Sequence, residues 1–285
     1  MKKILVTGSK GQLGNELQLA AKNFPQLELV FTDVDELDIC NLTAVEEFVQ
    51  NAGFNAIVNC AAYTAVDKAE TDQDLCYKIN RDAVRNLAQV AQSNGSKLIH
   101  VSTDYVFDGT QHVPYVETDP LCPVSVYGKS KLKGEEQALQ NCDQVAIIRT
   151  SWLYSAFGNN FVKTMIRLGH ERESLNVIFD QVGTPTYAAD LAVAILQVLN
   201  AESFVTGIYH FSNEGVCSWY DFAKKIHQLS GVTCKVNPIE TKDYPTAAAR
   251  PHYSVLNKSK IKSTYNIEIP HWEESLIKCV EILQK

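Results

Sequence analysis

Short apolar runs alternate with longer stretches of helical periodicity through the first half of the chain. Ile4–Thr7, Glu28–Thr32, Ala56–Asn59, Lys97–Ser102 and Val145–Thr150 predict strands, each too short and too uniformly apolar for a surface helix. Between them, Leu13–Lys22, Ala44–Asn51, Asp74–Ser93 and Val126–Gln140 predict helices. Nearly continuous apolar strands separated by helices imply a parallel sheet covered on both faces, which binds ligands at the carboxyl ends of its strands. The pattern loosens after about Trp152. Leu175–Phe179 and Gly207–Phe211 predict further strands that continue the sheet, with helices over Ala188–Leu199 and Ser218–Leu229. The stretch from Gly231 to Pro270 is richer in Pro, Thr and Asn and predicts a loop-rich lobe. The expected fold is therefore α/β: a doubly wound, Rossmann-like parallel sheet with a smaller C-terminal substrate-binding lobe. The expected division is 1–152 for the dinucleotide-binding domain and 153–285 mainly for the lobe, with segments returning to the sheet.

Composition narrows the function classes. With 45% hydrophobic and 21% charged residues over 285 positions, the chain has the balance of a globular protein with a full core. Its net charge is −7 and it has no basic block, which argues against nucleic acid as a partner; an anionic substrate must be held by a few local cations. The eight cysteines are scattered without a Cys-x-x-Cys, as in a reduced cytosolic protein rather than a zinc site or disulfide scaffold. The apolar run at the start stops after three residues, too short for a signal peptide or a membrane span. A cytoplasmic protein that does not engage the membrane is expected.

The first predicted strand runs into Thr7-Gly8-Ser9-Lys10-Gly11-Gln12-Leu13-Gly14. Glycines at Gly8, Gly11 and Gly14, directly after a strand and before a helix, allow a tight turn, close approach of backbone N–H groups to a pyrophosphate, and close helix–strand packing. The second strand ends at Asp33, where an acid can hold the adenosine ribose and favour NADH; Asp35 and Asp38 lie nearby. Lys10, inside the turn, can instead meet a ribose 2′-phosphate, which keeps NADPH open. The third strand ends in Asn59-Cys60-Ala61-Ala62-Tyr63, whose small residues admit a flat ligand.

The fourth strand, Leu98-Ile99-His100-Val101, leads into Ser102-Thr103-Asp104-Tyr105 and sets a hydroxyl and a carboxylate at its carboxyl end. Tyr127 and Lys131 follow, four apart on a predicted helix and so on one face. Ketone reduction by hydride needs a proton for the developing alkoxide. Free tyrosine, with a pKa of about 10, ionises too late to cycle easily near neutrality. A neighbouring ammonium and an oxidised nicotinamide are expected to lower it. Thr103 would donate to the same carbonyl oxygen.

These residues resemble the extended short-chain dehydrogenases. NCAAYTAVDKAE (Asn59–Glu70), STDYVFDG (Ser102–Gly109), VYGKSKLKG (Val126–Gly134), RTSWLY (Arg149–Tyr154), GNNFVKT (Gly158–Thr164), QVGTP (Gln181–Pro185) and Arg250-Pro251 are similar to the dTDP-4-dehydrorhamnose reductase family, over nearly the whole chain. The resemblance implies reduction of the C4 ketone of a dTDP-4-dehydro-6-deoxyhexose to dTDP-L-rhamnose by NADPH or NADH. It implies Tyr127 as proton donor, Lys131 as its cofactor-holding partner, and Thr103 and Asp104 at the sugar. It places Trp152 against the hexose ring, and Gly11, Gln12, Leu13, Asp33, Asp38, Ile39, Ala61, Ala62 and Tyr63 at the cofactor. Arg250 is the candidate for the substrate diphosphate, with a surface salt bridge as its alternative. Some family members hold magnesium through glutamates at a dimer interface; Glu16 stands in the matching helix, but no metal ligand is assigned, and monomer and homodimer both stay open. A sugar-nucleotide 4-epimerase of the same superfamily and a non-catalytic NADP-binding regulatory subunit remain the alternative functions.

Overall fold

Five strands, β1 (Lys2–Thr7), β2 (Leu27–Thr32), β3 (Ala56–Asn59), β4 (Lys97–Thr103) and β5 (Val145–Thr150), form one parallel sheet with a sixth, Gly207–His210, in a computed structural model that describes residues 1–50 and 52–285. From one edge the order is β2, β1, β3, β4, β5 and then Gly207–His210. The chain turns back across the sheet between β1 and β3, and a doubly wound sheet opens a crevice at such a switch point. The register sets Thr7 level with Thr32 and Asn59 at the ends of β1, β2 and β3, Asn59 level with His100 midway along β4, and Thr103 level with Thr150 at the ends of β4 and β5.

The period of two along each strand divides the core. Ile4, Val6, Ala56, Val58, Ala146 and Ile148 face one layer, where Leu13 and Leu17 of α1 (Gln12–Ala20) meet Leu191 and Ile195 of the Ala188–Asn200 helix. Leu5, Ile57, Val145 and Ile147 face the other, with Val84, Leu87 and Ala91 of the Ala83–Ser93 helix. All residues of β3 and β5 are buried, as strands covered on both faces must be.

The predicted strands of this sheet recur within a residue or two. The predicted helix over 44–51 is observed as Leu42–Val49; Asn51 lies outside the described residues. The stretch over 74–93 is helical but not regular: Gln73–Tyr77 and Ala83–Ser93 are joined by a π-helical turn, Lys78–Asp82. Asn80 in that turn presents its carbonyl to Gly134, where a Cβ would collide with it. The other difference concerns Leu175–Phe179. Ser174–Ile178 does not continue the main sheet but pairs in parallel with Lys235–Ile239, inside the segment that composition marks as loop-rich. These strands pack with the Phe161–Glu171, Trp219–Ser230 and Trp272–Leu283 helices around a third core containing Val162, Val177, Phe222, Val236 and Leu276. Among the described residues, no helix is long and apolar enough to cross a membrane.

Candidate active site

The glycine turn is built by close approach. Gly8 has φ +70°, and a Cβ there would lie 2.6 Å from the backbone nitrogen of Ala61. A Cβ on Gly14 would stand 2.5 Å from the Gly8 carbonyl, so α1 can start this close to β1 only with glycine. Gly11 caps α1 without a side-chain hydrogen bond, which leaves the first-turn N–H groups available to an anion. Gly8, Gly11, Gln12 and Leu13 line a cleft of about 520 Å³ together with Ala62, Thr103, Asp104, Tyr127, Lys131 and Trp152.

The remaining predicted cofactor residues do not line that cleft. Asp33 accepts from Lys10 N and Val34 N, both at 2.9 Å, so its carboxylate braces the turn. The Lys10 ammonium reaches Asp35 at 2.6 Å and Glu36 at 3.5 Å, exposed to solvent. Asp38 accepts from Cys40 N at 2.9 Å. Ile39 is buried in the core, with its carbonyl accepting from Asn86 Nδ2 at 3.1 Å. Ala61 N donates to Asn59 Oδ1. Tyr63 exchanges two hydrogen bonds with Asn80: its N–H donates at 2.9 Å and its carbonyl accepts at 3.1 Å.

Thr103 ends β4, and its hydroxyl accepts from Tyr105 N at 3.2 Å and donates to Asp104 Oδ1 at 3.0 Å. Ser125 caps the Val126–Asn141 helix by accepting from Gly128 N, and Gly128 lets that helix lie directly on the Tyr105 carbonyl. Tyr127 and Lys131, on this helix, are both buried. Tyr105 meets the Tyr127 ring edge to face at 5.4 Å. The second anchor of the helix is Glu135. It forms a fully buried ion pair with Arg149 of β5 (2.7 Å) and accepts from Ser102 of β4 (2.5 Å).

Burial controls the protonation of these groups. It holds the Tyr127 hydroxyl well above the ordinary tyrosine value, with only the nearby Thr103 hydroxyl acting the other way. The expected lowering rests on the ammonium together with an oxidised nicotinamide; in the protein alone desolvation dominates and the nearby Asp104 carboxylate acts in the same direction. Burial lowers Lys131 to about 8, although Glu135 pulls the other way. Burial also raises Asp104 to about 7, and its Oδ2 is buried without a hydrogen-bond partner.

Trp152 and Arg250 sit in settings that the sequence does not reveal. Trp152 adopts φ +48°, a left-handed backbone rare for a bulky residue, which costs roughly 1–3 kcal/mol. Its ring stacks on Trp219 with centroids 3.6 Å apart, and Gly183 passes so close that a Cβ would lie 2.7 Å from Trp152 Cε2. Arg250 does not line the cleft wall; it pairs bidentately with Asp67, at 3.1 and 2.6 Å, and Nη1 also donates to the Ala248 carbonyl. Glu16 is buried and accepts from Ser155 Oγ at 2.6 Å, and burial raises its carboxyl. Among the described residues, no group of three or more His, Cys, Asp or Glu is placed to hold a metal.

Sequence reasoning missed Asn59 and His100. Both are buried, Asn59 at the end of β3 and His100 level with it midway along β4, and they join in one hydrogen-bonded chain that reaches Lys131 through His100. The available signal was polar residues inside two otherwise apolar strands.

The family model described as RmlD substrate binding domain matches residues 1–285. The chain is 42% identical to the dTDP-4-dehydrorhamnose reductase of Aggregatibacter actinomycetemcomitans, over 97% of each chain. It superposes on the crystal structure of a dTDP-4-dehydrorhamnose reductase from Clostridium acetobutylicum with a TM-score of 0.95 and 45% identity, covering 99% of this chain and 100% of that one. A dTDP-4-dehydrorhamnose reductase from Bacillus anthracis, solved in complex with NADP, gives a TM-score of 0.95 at 42% identity with the same coverage.

Proposed function

This chain belongs to the RmlD family, whose members include the dTDP-4-dehydrorhamnose reductases, and from that premise we propose that it reduces the C4 ketone of dTDP-4-dehydrorhamnose to dTDP-L-rhamnose. The observation that carries the reading is the meeting of Thr103, Tyr127 and Lys131 in the cleft that the glycine turn opens. The reductant is NADPH or NADH, which supplies the hydride to C4. The Bacillus anthracis relative, solved with NADP, supports NADPH, as does Lys10: its exposed ammonium can exchange Asp35 for a ribose 2′-phosphate. The turn residues fit a dinucleotide, because side chains at Gly8 and Gly14 would occupy backbone positions and the first-turn N–H groups of α1 are uncapped.

Tyr127 enters the reaction protonated and donates its hydroxyl hydrogen to the C4 oxygen. Thr103 steers that oxygen by a second hydrogen bond. Lys131 holds the nicotinamide ribose and, as its ammonium, favours the tyrosinate left behind. Asp104, with one unpartnered carboxylate oxygen on the cleft wall, takes a sugar hydroxyl. The exposed part of Trp152 meets the hexose, held by Trp219 behind it. Arg250 leaves Asp67 for the substrate diphosphate, trading one bidentate acceptor for another. Residues 1–152 serve as the dinucleotide-binding domain and 153–285 mainly as the substrate lobe.

The test is to incubate the protein with dTDP-4-dehydrorhamnose and each reduced cofactor and follow the nicotinamide absorbance. Stoichiometric consumption is expected. Interconversion of sugar epimers without net loss of reduced cofactor would mark an epimerase, and no reaction with either cofactor would leave only the fold.

A further inference from the structure

We propose that His100 is a positioning residue for Lys131, locked by Asn59 in the tautomer that carries its proton on Nε2 and donates it to the lysine amine. The inference rests on the assignment of Lys131 to the catalytic pair. It starts from a donor of fixed direction. The Ala61 backbone N–H can only donate, and its partner is Asn59 Oδ1 at 3.1 Å. Thr7 Oγ1 donates to the same oxygen at 2.8 Å. The other end of the Asn59 amide is therefore its NH2 group, which lies 3.1 Å from His100 Nδ1. An amide nitrogen offers only hydrogens, so Nδ1 must accept. His100 is fully buried, and burial with the adjacent Lys131 keeps it neutral, far below its ordinary value. A neutral imidazole has one N–H, which is left to Nε2. That atom stands 3.4 Å from Lys131 Nζ.

Facing N–H groups repel when Lys131 is an ammonium and bond when it is an amine with a free lone pair. The Val101 carbonyl, 2.7 Å from Nζ, accepts from either form and does not discriminate. The other ionisable groups around Lys131 are Glu135 and Tyr127 on its own helix, Cys76 on the Gln73–Tyr77 helix and Cys60 after β3. Glu135 acts to keep the proton on Lys131, as Cys76 and Cys60 would only as thiolates, and burial acts against it. Burial leaves both thiols and Tyr127 protonated near neutrality, and Glu135 is paired with Arg149. His100 is thus the neutral neighbour whose direction of donation decides which form of the lysine it favours. A lysine poised near neutral pH can replace the proton that Tyr127 gives to the substrate oxygen, passing one of its own from the ammonium form to the tyrosinate and becoming the amine that His100 favours.

The test is ¹⁵N NMR of the full chain labelled at histidine and lysine nitrogens, with and without NADPH. In the wild type, His100 should show a protonated Nε2 and a bare Nδ1, and Lys131 Nζ should titrate well below an ordinary lysine. Asn59→Asp replaces the donating end of the amide with an acceptor. It should move the His100 proton to Nδ1, turn Nε2 into an acceptor, and raise the proton affinity of Lys131 by roughly tenfold or more. His100→Gln, which can accept from Asn59 and donate to Lys131, should keep the Lys131 midpoint within about threefold in proton affinity. A wild-type proton on Nδ1 would overturn the proposal even if no variant folds. So would a rise of the Lys131 midpoint in Asn59→Asp with the His100 proton unmoved, since the new charge alone would then explain it. These signals are read in the resting protein, so they stand apart from whether Tyr127 proves catalytic.

Discussion

Replacing Glu135 with glutamine should cost about 3–5 kcal/mol of stability, because it leaves a buried guanidinium without its counter-charge. Arg149 is fully buried, and Glu135 Oε1 and Oε2 together accept its Nε and Nη2 at 2.7–3.2 Å. Apart from the one neutral oxygen that the glutamine amide retains, the guanidinium keeps a 3.5 Å contact with the Glu117 carbonyl and the face of Phe107 at 5.2 Å. Neither offsets a charge removed from water. Ser102 would also lose a charge-assisted acceptor at 2.5 Å. Against a typical total of about 5–15 kcal/mol the loss is severe, and for a chain of 285 residues it corresponds to a drop in Tm of roughly 5–8 °C. The pair bolts the helix bearing Tyr127 and Lys131 to β4 and β5, so kcat should fall with stability. Losing Glu135 also removes one influence that keeps Lys131 protonated. Urea unfolding of wild type, Glu135→Gln and the apolar double variant Glu135→Leu/Arg149→Met measures the effect. The double variant should recover at least about half of the loss, since no unpaired charge remains. A single-variant loss below about 1 kcal/mol would refute the reasoning, as it would mean that Arg149 finds water or another partner.

Three further outcomes are expected. Lys10→Ala should raise KM for NADPH by about tenfold while changing KM for NADH less than about twofold, read from initial rates; equal effects would assign Lys10 no part in cofactor choice. Arg250→Gln should raise KM for the sugar nucleotide by roughly tenfold and leave KM for the cofactor alone, and an unchanged sugar-nucleotide KM would reduce the Asp67 pair to a surface tie. The Asp104 carboxyl, at about 7 in the fold against about 3.9 when unfolded, binds its proton more tightly in the native state. Its stabilising contribution is therefore full below pH 4 and lost as pH rises through 7. Asp104→Asn should accordingly gain stability relative to wild type between pH 4 and pH 8, by on the order of 4 kcal/mol, in parallel denaturant titrations.

The sheet and the order of site elements were legible because each depends on short-range pattern. Apolar runs of four to seven residues could bury both faces only in a parallel sheet, and Gly8, Gly11 and Gly14 sit where a strand must turn into a helix. Tyr127 and Lys131 were legible because four residues make one helical turn. What escaped depends on distant chain segments. Nothing near Ser174–Ile178 reveals that its partner is Lys235–Ile239 rather than the main sheet. Arg250 meets Asp67 across 183 residues, and Trp152 takes its left-handed backbone between Trp219 and Gly183. Asn59 and His100 look alike as buried polar residues in separate strands; only the register of β3 against β4 sets them side by side. Tyr127 lines the cleft, but the burial that raises its hydroxyl in the protein alone is a property of the finished fold that no local pattern carries.

The central claim is that Tyr127 delivers the proton while the cofactor delivers hydride, and a single-turnover measurement on Tyr127→Phe tests it most directly. NADPH binding, followed by fluorescence, should stay within about threefold of wild type, because the ring and the glycine turn remain. Hydride transfer to dTDP-4-dehydrorhamnose, followed as loss of nicotinamide absorbance, should slow by at least about 100-fold. Transfer within about fivefold of the wild-type rate would contradict the account and send the search for the proton donor elsewhere in the cleft.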